Sequence, residues 1–542
     1  MGHKAVPEPP ILSSGWRRFG RNLPANWKGA LRRQADNLLP NRETREYRAW
    51  IAERLKLRGT VYNEPLEPGL LSVLTAVWDG SPIRYLKTLA STLIRQNQPA
   101  ACEWVLLDNG CTDTRLLKYL DELRAHPWIR LYRLERNAGI ARGLRYCLER
   151  ARGRYVMPVD ADDLLYPDTL RIVTFSIRQF NYPPLLYSDE DKILGAKVYQ
   201  PYMKPDWDPV LLLNSAYIAH LGILDRTKAL ELGAYSDTST EGSPDWDVFV
   251  RFLMAGYAAA HIPEVLYSWR VHAHSTADDP ATKPYVHASQ RAVLQRFLDA
   301  QSDNGKFKVE YSPFLGGMAH WHFSRHHDES NAFTSVVLAS AVQPARTLTE
   351  TAKSVGQRGG FVHLIGDGVE IDDPEWPREA MSLFELHPDV VMIGGRIRNR
   401  KGIITQAGRH FGFAGPCGCP DRGRSFSDPG YFGQMWKQQS VSAVATQFAA
   451  IRPSFLYDVL QQIPEAASCA WLGAWAGALA LRTGKRVVYS PFLSGVSDLD
   501  WDALVDPSEQ ALFADRNQNI IPDQRFYSRN LSLEKPFGFR PP

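Results

Sequence analysis

The chain has little of what would stitch it with disulfides, carry it across a membrane or draw it to nucleic acid. Six of its 542 residues are cysteine. They are scattered (Cys102, Cys111, Cys147, Cys417, Cys419, Cys469), and only Cys417 and Cys419 stand close, without the second pair that a structural zinc site needs. A reducing, cytoplasmic setting fits this usage best. The N-terminus has no continuous apolar h-region, and the most apolar stretch, Cys469 to Leu481, is too short to cross a bilayer and rich in small residues. The expectation is therefore neither export nor a membrane span. The net charge of +4 is too mild to imply a nucleic-acid partner.

What is present is apolar material for more than one core, 44% hydrophobic residues against 23% charged. The basic excess is local: residues 1 to 58 carry thirteen Lys and Arg against five Asp and Glu. Residues 1–65 read as a basic, aromatic arm followed by a helix from Arg42 to Leu57. Two readings stay open for residues 1–40, peripheral contact at the inner face of a membrane and a solvated arm docked on the protein.

From Leu70 the pattern alternates strand and helix. Leu71 to Val77, Trp104 to Leu107, Ile129 to Leu134 and Tyr155 to Val159 read as strands. Arg84 to Gln96 and Ile140 to Arg152 read as amphipathic crossover helices, with Leu86, Leu89, Leu93 and Leu144, Leu148 on their apolar stripes. This is an α/β chain with an open parallel sheet. A second α/β unit starts after Pro313, with strands at Phe333 to Ala339, Phe361 to Ile365 and Gly394 to Ile397. The expected division is 1–65 arm and helix, 66–315 first α/β domain, 330–500 second domain and 501–542 C-terminal tail.

Ligands of such sheets collect at the carboxyl ends of the strands, and polar residues stand there: Asp79 after the first strand, Asp108 after the second, Asn137-Ala138-Gly139 before a helix, and Asp160-Ala161-Asp162-Asp163 after the fourth. Carboxylates one residue apart suit a hard divalent cation that also takes phosphate oxygens. The ordinary alternative is a turn or helix cap. Asp108 suits a base or ribose contact, or an Asx-turn. Arg142 and Arg145 could reach a diphosphate with the help of the helix dipole, or form a solvated face with Glu149.

The runs LTAVWDG, WVLLDNGCTD, RNAGIARGLRYCLERARGRYVMPVDADDLLYPDTL, YSDEDKI, KPDWDP, EGSPDWDVFVRF and IPEVLYSWRVHAHSTA together resemble a family 2 glycosyltransferase of GT-A fold, of the bacterial tandem-domain type associated with lipopolysaccharide O-antigen and other surface polysaccharides. The resemblance is strong over residues 45–280 and weak over 330–500. It implies a nucleotide-sugar donor held by Thr75, Val77, Asp79, Asp108 and Asp160, to which the reading of the helix adds Arg142 and Arg145. It further implies Mn²⁺ or Mg²⁺ on Asp160, Asp162 and His272, and Asp245 as the base of an inverting transfer. A glycan or lipid-linked glycan acceptor is expected to meet Asp163, Glu190, Asp191, Trp207 and Trp246; the acidic run and the Trp207 segment could equally be turn residues. Trp78-Asp79 stands where Tyr-Asn is common, and Arg145 replaces a small polar residue.

In the second unit the family's acidic strand end becomes Gly366-Asp367-Gly368, and Trp471 to Ala476 carries no acid, so residues 330–500 are expected to be a degenerate, non-catalytic GT-A-like domain. Sugar nucleotidyltransfer is the alternative activity, although Thr75 to Ser81 lacks the Gly-rich, Arg-containing loop that it needs. A non-catalytic glycan-binding or assembly protein is the other.

Overall fold

The computed structural model describes residues 41–272, 285–314, 320–327 and 330–542. The arm at 1–40 lies outside them. No helix among the described residues is long and apolar enough to cross a membrane.

The first described helix, α1 (Arg42–Val61), is capped by Asn41, whose Oδ1 accepts from Thr44 N at 2.8 Å. Arg54 and Arg58, one turn apart, both donate to the buried carboxylate of Glu264. The helix is thereby fixed to the α/β body.

That body is a nine-stranded sheet in the order β3-β2-β1-β4-β8-β6-β9-β5, with β7 paired to β6. Its strands are β1 (Leu71–Val77), β2 (Glu103–Asn109), β3 (Ile129–Leu134), β4 (Tyr155–Pro158), β5 (Leu164–Leu165), β6 (Leu185–Leu194), β7 (Lys197–Tyr202), β8 (Gly222–Asp225) and β9 (Ala260–Arg270). Strand β1 is apolar almost throughout because helices cover both faces of a parallel sheet; it pairs in parallel with β2 and β4. The crossover helices are α2 (Ile83–Gln96), α3 (Thr114–Glu122) and α4 (Ile140–Arg150). Gly143 lets α4 lie close over the strand ends, since a Cβ there would sit 3.2 Å from Ala76 Cβ.

The α/β class is as expected, but the unbroken parallel run ends at β4, and beyond it only β6 and β9 pair in parallel. Strand β8 runs antiparallel to both β4 and β6, and β5 antiparallel to β9.

The second half repeats part of this plan. Its strands β12 (Phe333–Leu338), β13 (Phe361–Gly366), β14 (Glu370–Ile371), β15 (Val390–Arg398), β16 (Phe448–Ile451) and β17 (Arg486–Val496) follow the hairpin strands β10 (Phe307–Tyr311) and β11 (Trp321–Arg325). Their order is β12-β13-β16-β15-β17-β14. The sense of successive pairs is parallel, antiparallel, antiparallel, parallel, antiparallel. That is the sequence of senses along β1-β4-β8-β6-β9-β5. Strand β12 therefore stands where β1 does, and β14 where β5 does. Among the described residues nothing occupies the places of β2 and β3.

The two sheets are joined by buried polar groups. After β7 comes the short helix α5 (Pro209–Asn214). Asp208 caps it through Val210 N and also accepts from Ser440 N and Ser440 Oγ, both at 2.7 Å. Val210 packs into the apolar cluster of the second sheet with Ile393, Phe448 and Val488. The last forty residues close over the first half: Trp50 Nε1 donates to Arg540 O, and Asn530 Nδ2 to Asp189 Oδ2 at 3.0 Å.

Candidate active site

Strand β4 ends in the Asp160 turn, and each carboxylate there has a different task. Asp163 is buried at 1% exposure. It accepts from Tyr267 Oη and, at 2.7 Å, from the backbone N–H of Arg270. Burial, with the charges of Asp162 and Asp160, drives its carboxyl well above the usual range. Asp163 thus pins the turn to β9 and does not face an acceptor, contrary to expectation.

Pinning Asp163 leaves Asp160 exposed and Asp162 half-buried. Asp162 Oδ2 lies 2.7 Å from His272 Nε2, and its carbonyl accepts from Arg270 Nε at 2.7 Å. Arg270 in turn stacks over Tyr85, its guanidinium carbon 4.3 Å from the ring centre. Strand β9 therefore delivers His272 to the acidic turn. Arg270 and Tyr85 went unassigned, although Arg270 stands in the quoted run SWRVHAH.

Asp245 lies in the first turn of α6 (Pro244–Met254), behind the helix-starting Pro244. The Tyr235 hydroxyl donates to its Oδ1 at 3.4 Å. Burial pushes this carboxyl up to about 6, against the opposing hydrogen bond from Tyr235. Tyr235 feels the charge of Asp245 and, more weakly, that of Asp160. A carboxyl poised near neutrality is suited to take a proton from a hydroxyl.

Other expected donor contacts are engaged in holding the strand ends. Thr75 is buried and accepts from Trp104 Nε1 at 3.0 Å, and Val77 is buried with its carbonyl facing Cys111 Sγ. Asp108 accepts from Cys111 N at 2.8 Å, which is the Asx-turn alternative, and lies 3.4 Å from Arg133. Asp79 ties the loop after β1 to that after β2, accepting from Thr112 N, Thr112 Oγ1 and Asp113 N. These bonds, that from Asp113 foremost, hold its carboxyl below the usual range. Arg142 is exposed, whereas Arg145 pairs with Glu149 at 2.7 Å and with Ala234 O. At the N-terminus of α4, whose dipole is expected to help Arg142 and Arg145 reach a diphosphate, two backbone N–H groups already have a carboxylate partner. Glu241 accepts there from Ile140 N and Ala141 N. Nothing local in the sequence announces this, because Glu241 arrives from a distant loop.

Among the expected acceptor residues, Trp246 is buried at 1% exposure with its Nε1 on Leu212 O, so it belongs to the core. Asp191 is fully buried, ringed by the hydroxyls of Tyr47, Tyr166 and Ser268, and raised to about 7 by burial. It fastens α1 to the sheet and is closed to an acceptor. Glu190 and Trp207 are half-buried, and Glu190 pairs with the buried Lys204 at 3.2 Å. His261, which carried no expectation, bridges Asp189 and Asp206 at 2.9 Å each.

Carboxylate and imidazole are ligand types that Mn²⁺ accepts, and of Asp160, Asp162 and His272 the last two already meet.

Residues 72–182 match the family described as Glycosyl transferase family 2. Together with the β4 turn at the centre of an α/β sheet, this makes that segment a family 2 glycosyltransferase domain. Among curated proteins, the chain is 27% identical over 463 residues to an uncharacterized protein of Sinorhizobium fredii, covering 75% of this chain and 50% of that one. It is 29% identical to the O-antigen biosynthesis protein RfbC of Myxococcus xanthus, covering 69% and 33%, and 28% identical to the putative glycosyltransferase EpsE of Bacillus subtilis, covering 35% and 69%. It thus spans half or less of the first two relatives. Among solved structures it is similar to S. aureus TarS 1–349, with 18% identity, 43% and 66% coverage and a TM-score of 0.35.

Proposed function

We propose that the chain is an inverting, metal-dependent glycosyltransferase that moves a sugar from a nucleoside-diphosphate donor to a glycan or lipid-linked glycan acceptor in bacterial surface-polysaccharide synthesis. The observation that carries this reading is the acidic turn that ends β4, where Asp162 meets His272 at 2.7 Å beside the exposed Asp160, together with the separate carboxyl of Asp245, raised to about 6 by burial. Asp245 takes the proton of the attacking hydroxyl at its free oxygen. Asp160, Asp162 and His272 hold Mn²⁺ or Mg²⁺, which when bound offsets the charge of the departing diphosphate. Asp79 and Asp108 shape the nucleotide pocket by fixing the strand-end loops, and Glu190 and Trp207 meet the acceptor.

The second domain is read as non-catalytic. Its counterpart of the Asp160 turn, between β13 and β14, is Asp367-Gly368-Val369. The helix Leu472–Arg482, which precedes β17 as α6 precedes β9, carries no acid, and Trp475 is buried within it.

The test is a panel of nucleotide sugars with Mn²⁺, assayed for transfer and for slow hydrolysis. Turnover of one donor that is lost in Asp245→Asn supports the reading. Pyrophosphate-dependent formation of a nucleoside triphosphate would instead identify a nucleotidyltransferase.

A further inference from the structure

The hairpin β10–β11 is apolar on one face only. Phe307, Val309, Trp321 and Phe323 face the core of the first half, so alternation turns Lys308, Glu310, His322 and Ser324 the other way. Glu310 and His322 are direct cross-strand partners. Against them lies the helix α7 (Trp376–Leu386) of the second half, which brings Glu379. Ligand atoms of Glu310, His322 and Glu379 all lie within 4.8 Å of one another, the one such group of three among the described residues. All three line a cleft of about 980 Å³, together with Phe314, Phe492 and Arg396.

We propose that Glu310, His322 and Glu379 form a binding site for a divalent transition-metal ion of the zinc class, separate from the Asp160 turn, with its fourth position open to this cleft. The spacings carry the argument. His322 Nε2 is 3.4 Å from Glu379 Oε1 and 3.8 Å from Glu310 Oε2, longer than good hydrogen bonds of about 2.7–3.2 Å. Ligands about 2.0–2.1 Å from a tetrahedral ion stand roughly 3.3–3.4 Å apart. The cluster also holds unsatisfied atoms. His322 is 4% exposed, and its Nδ1 and Glu379 Oε2 are buried with no hydrogen-bond partner. A cation between the three would add a full counter-charge beside the buried Glu379 carboxylate, whose Oε2 has no hydrogen-bond partner. Outer contacts already aim Glu310: Lys308 lies 2.6 Å from Oε1 and Ser324 donates to Oε2, the kind of support that orients metal ligands. One carboxylate comes from each half, so the ion fastens the hairpin to the second domain.

The test uses the full chain, stripped with chelator and titrated with Co²⁺ and Zn²⁺. One equivalent of Co²⁺ is expected to give the visible absorption of a four-coordinate site, displaced by Zn²⁺ and unaltered in Asp162→Ala. It should be lost in Glu379→Gln and in His322→Asn, both of which should melt cooperatively without metal. Zn²⁺ is expected to raise the melting temperature of the parent and of Asp162→Ala but not of these two variants. A Co²⁺ spectrum that survives Glu379→Gln and His322→Asn, that vanishes with Asp162→Ala, or that never forms would overturn the proposal, the last leaving an ion-pair cluster only.

Discussion

The hydroxyl of Tyr235 lies 3.4 Å from Oδ1 of Asp245, the single hydrogen bond opposing the burial that lifts this carboxyl to about 6. Since a base works only when ionised, sugar transfer is expected to fall as pH drops through about 6. Asp245→Asn should lower kcat by about 10²–10⁴-fold with donor KM nearly unchanged. Steady-state kinetics from pH 5 to pH 8, values of the order set by the ordinary carboxyl range and neutrality, checks both.

The same shift predicts a stability effect of opposite sense. An acid whose pKa is higher folded than unfolded binds more protons in the folded state between the two values, so its contribution falls as pH rises from about 4 to about 6. Above that window Asp245 is a net cost. Asp245→Asn should therefore melt no lower than the parent at neutral pH, with any gain shrinking towards pH 4. A markedly lower melting temperature at pH 7.5, roughly neutral on this scale, would contradict it.

Asp162 and His272 are expected to act together on the metal. Either Asp162→Ala or His272→Ala should raise the Mn²⁺ concentration for half-maximal activity by about 10–100-fold, and the double variant should do little more than either alone. Metal titrations of the three variants decide this.

Asp191 serves as a contrast. Asp191→Ala leaves the hydroxyls of Tyr47, Tyr166 and Ser268 without their acceptor, a cost of about 2–4 kcal/mol for buried groups. Denaturant melts should show that loss while acceptor KM stays put, and a raised acceptor KM at unchanged stability would restore Asp191 to the acceptor site.

Much of the fold could be read from the chain because local pattern and burial agree there. Strands β1 and β3 have the boundaries that their apolar runs imply, and α2 and α4 bury the expected leucines. The antiparallel β8 was missed, since four residues carry no period and pairing direction is a tertiary matter. At the site, the turn of Asp160 to Asp163 was legible as a motif, but not which carboxylate turns inward. That is decided by Tyr267 and the Arg270 backbone, which arrive from β9. Likewise Glu241 on the α4 terminus and the burial of Trp246 depend on chain far away in sequence.

Val210 belongs by connectivity to the first sheet and by packing to the second, with Asp208 sealing the junction through Ser440. The second domain is therefore no detachable passenger. Severed between the halves, the first fragment would carry a raw apolar plug and an acid stripped of its partners. The second would open a socket lined by Ile393 and Phe448. Both are invitations to aggregate. A domain read as non-catalytic can in this way still be required as a folding template, because it supplies the partners of Val210 and Asp208.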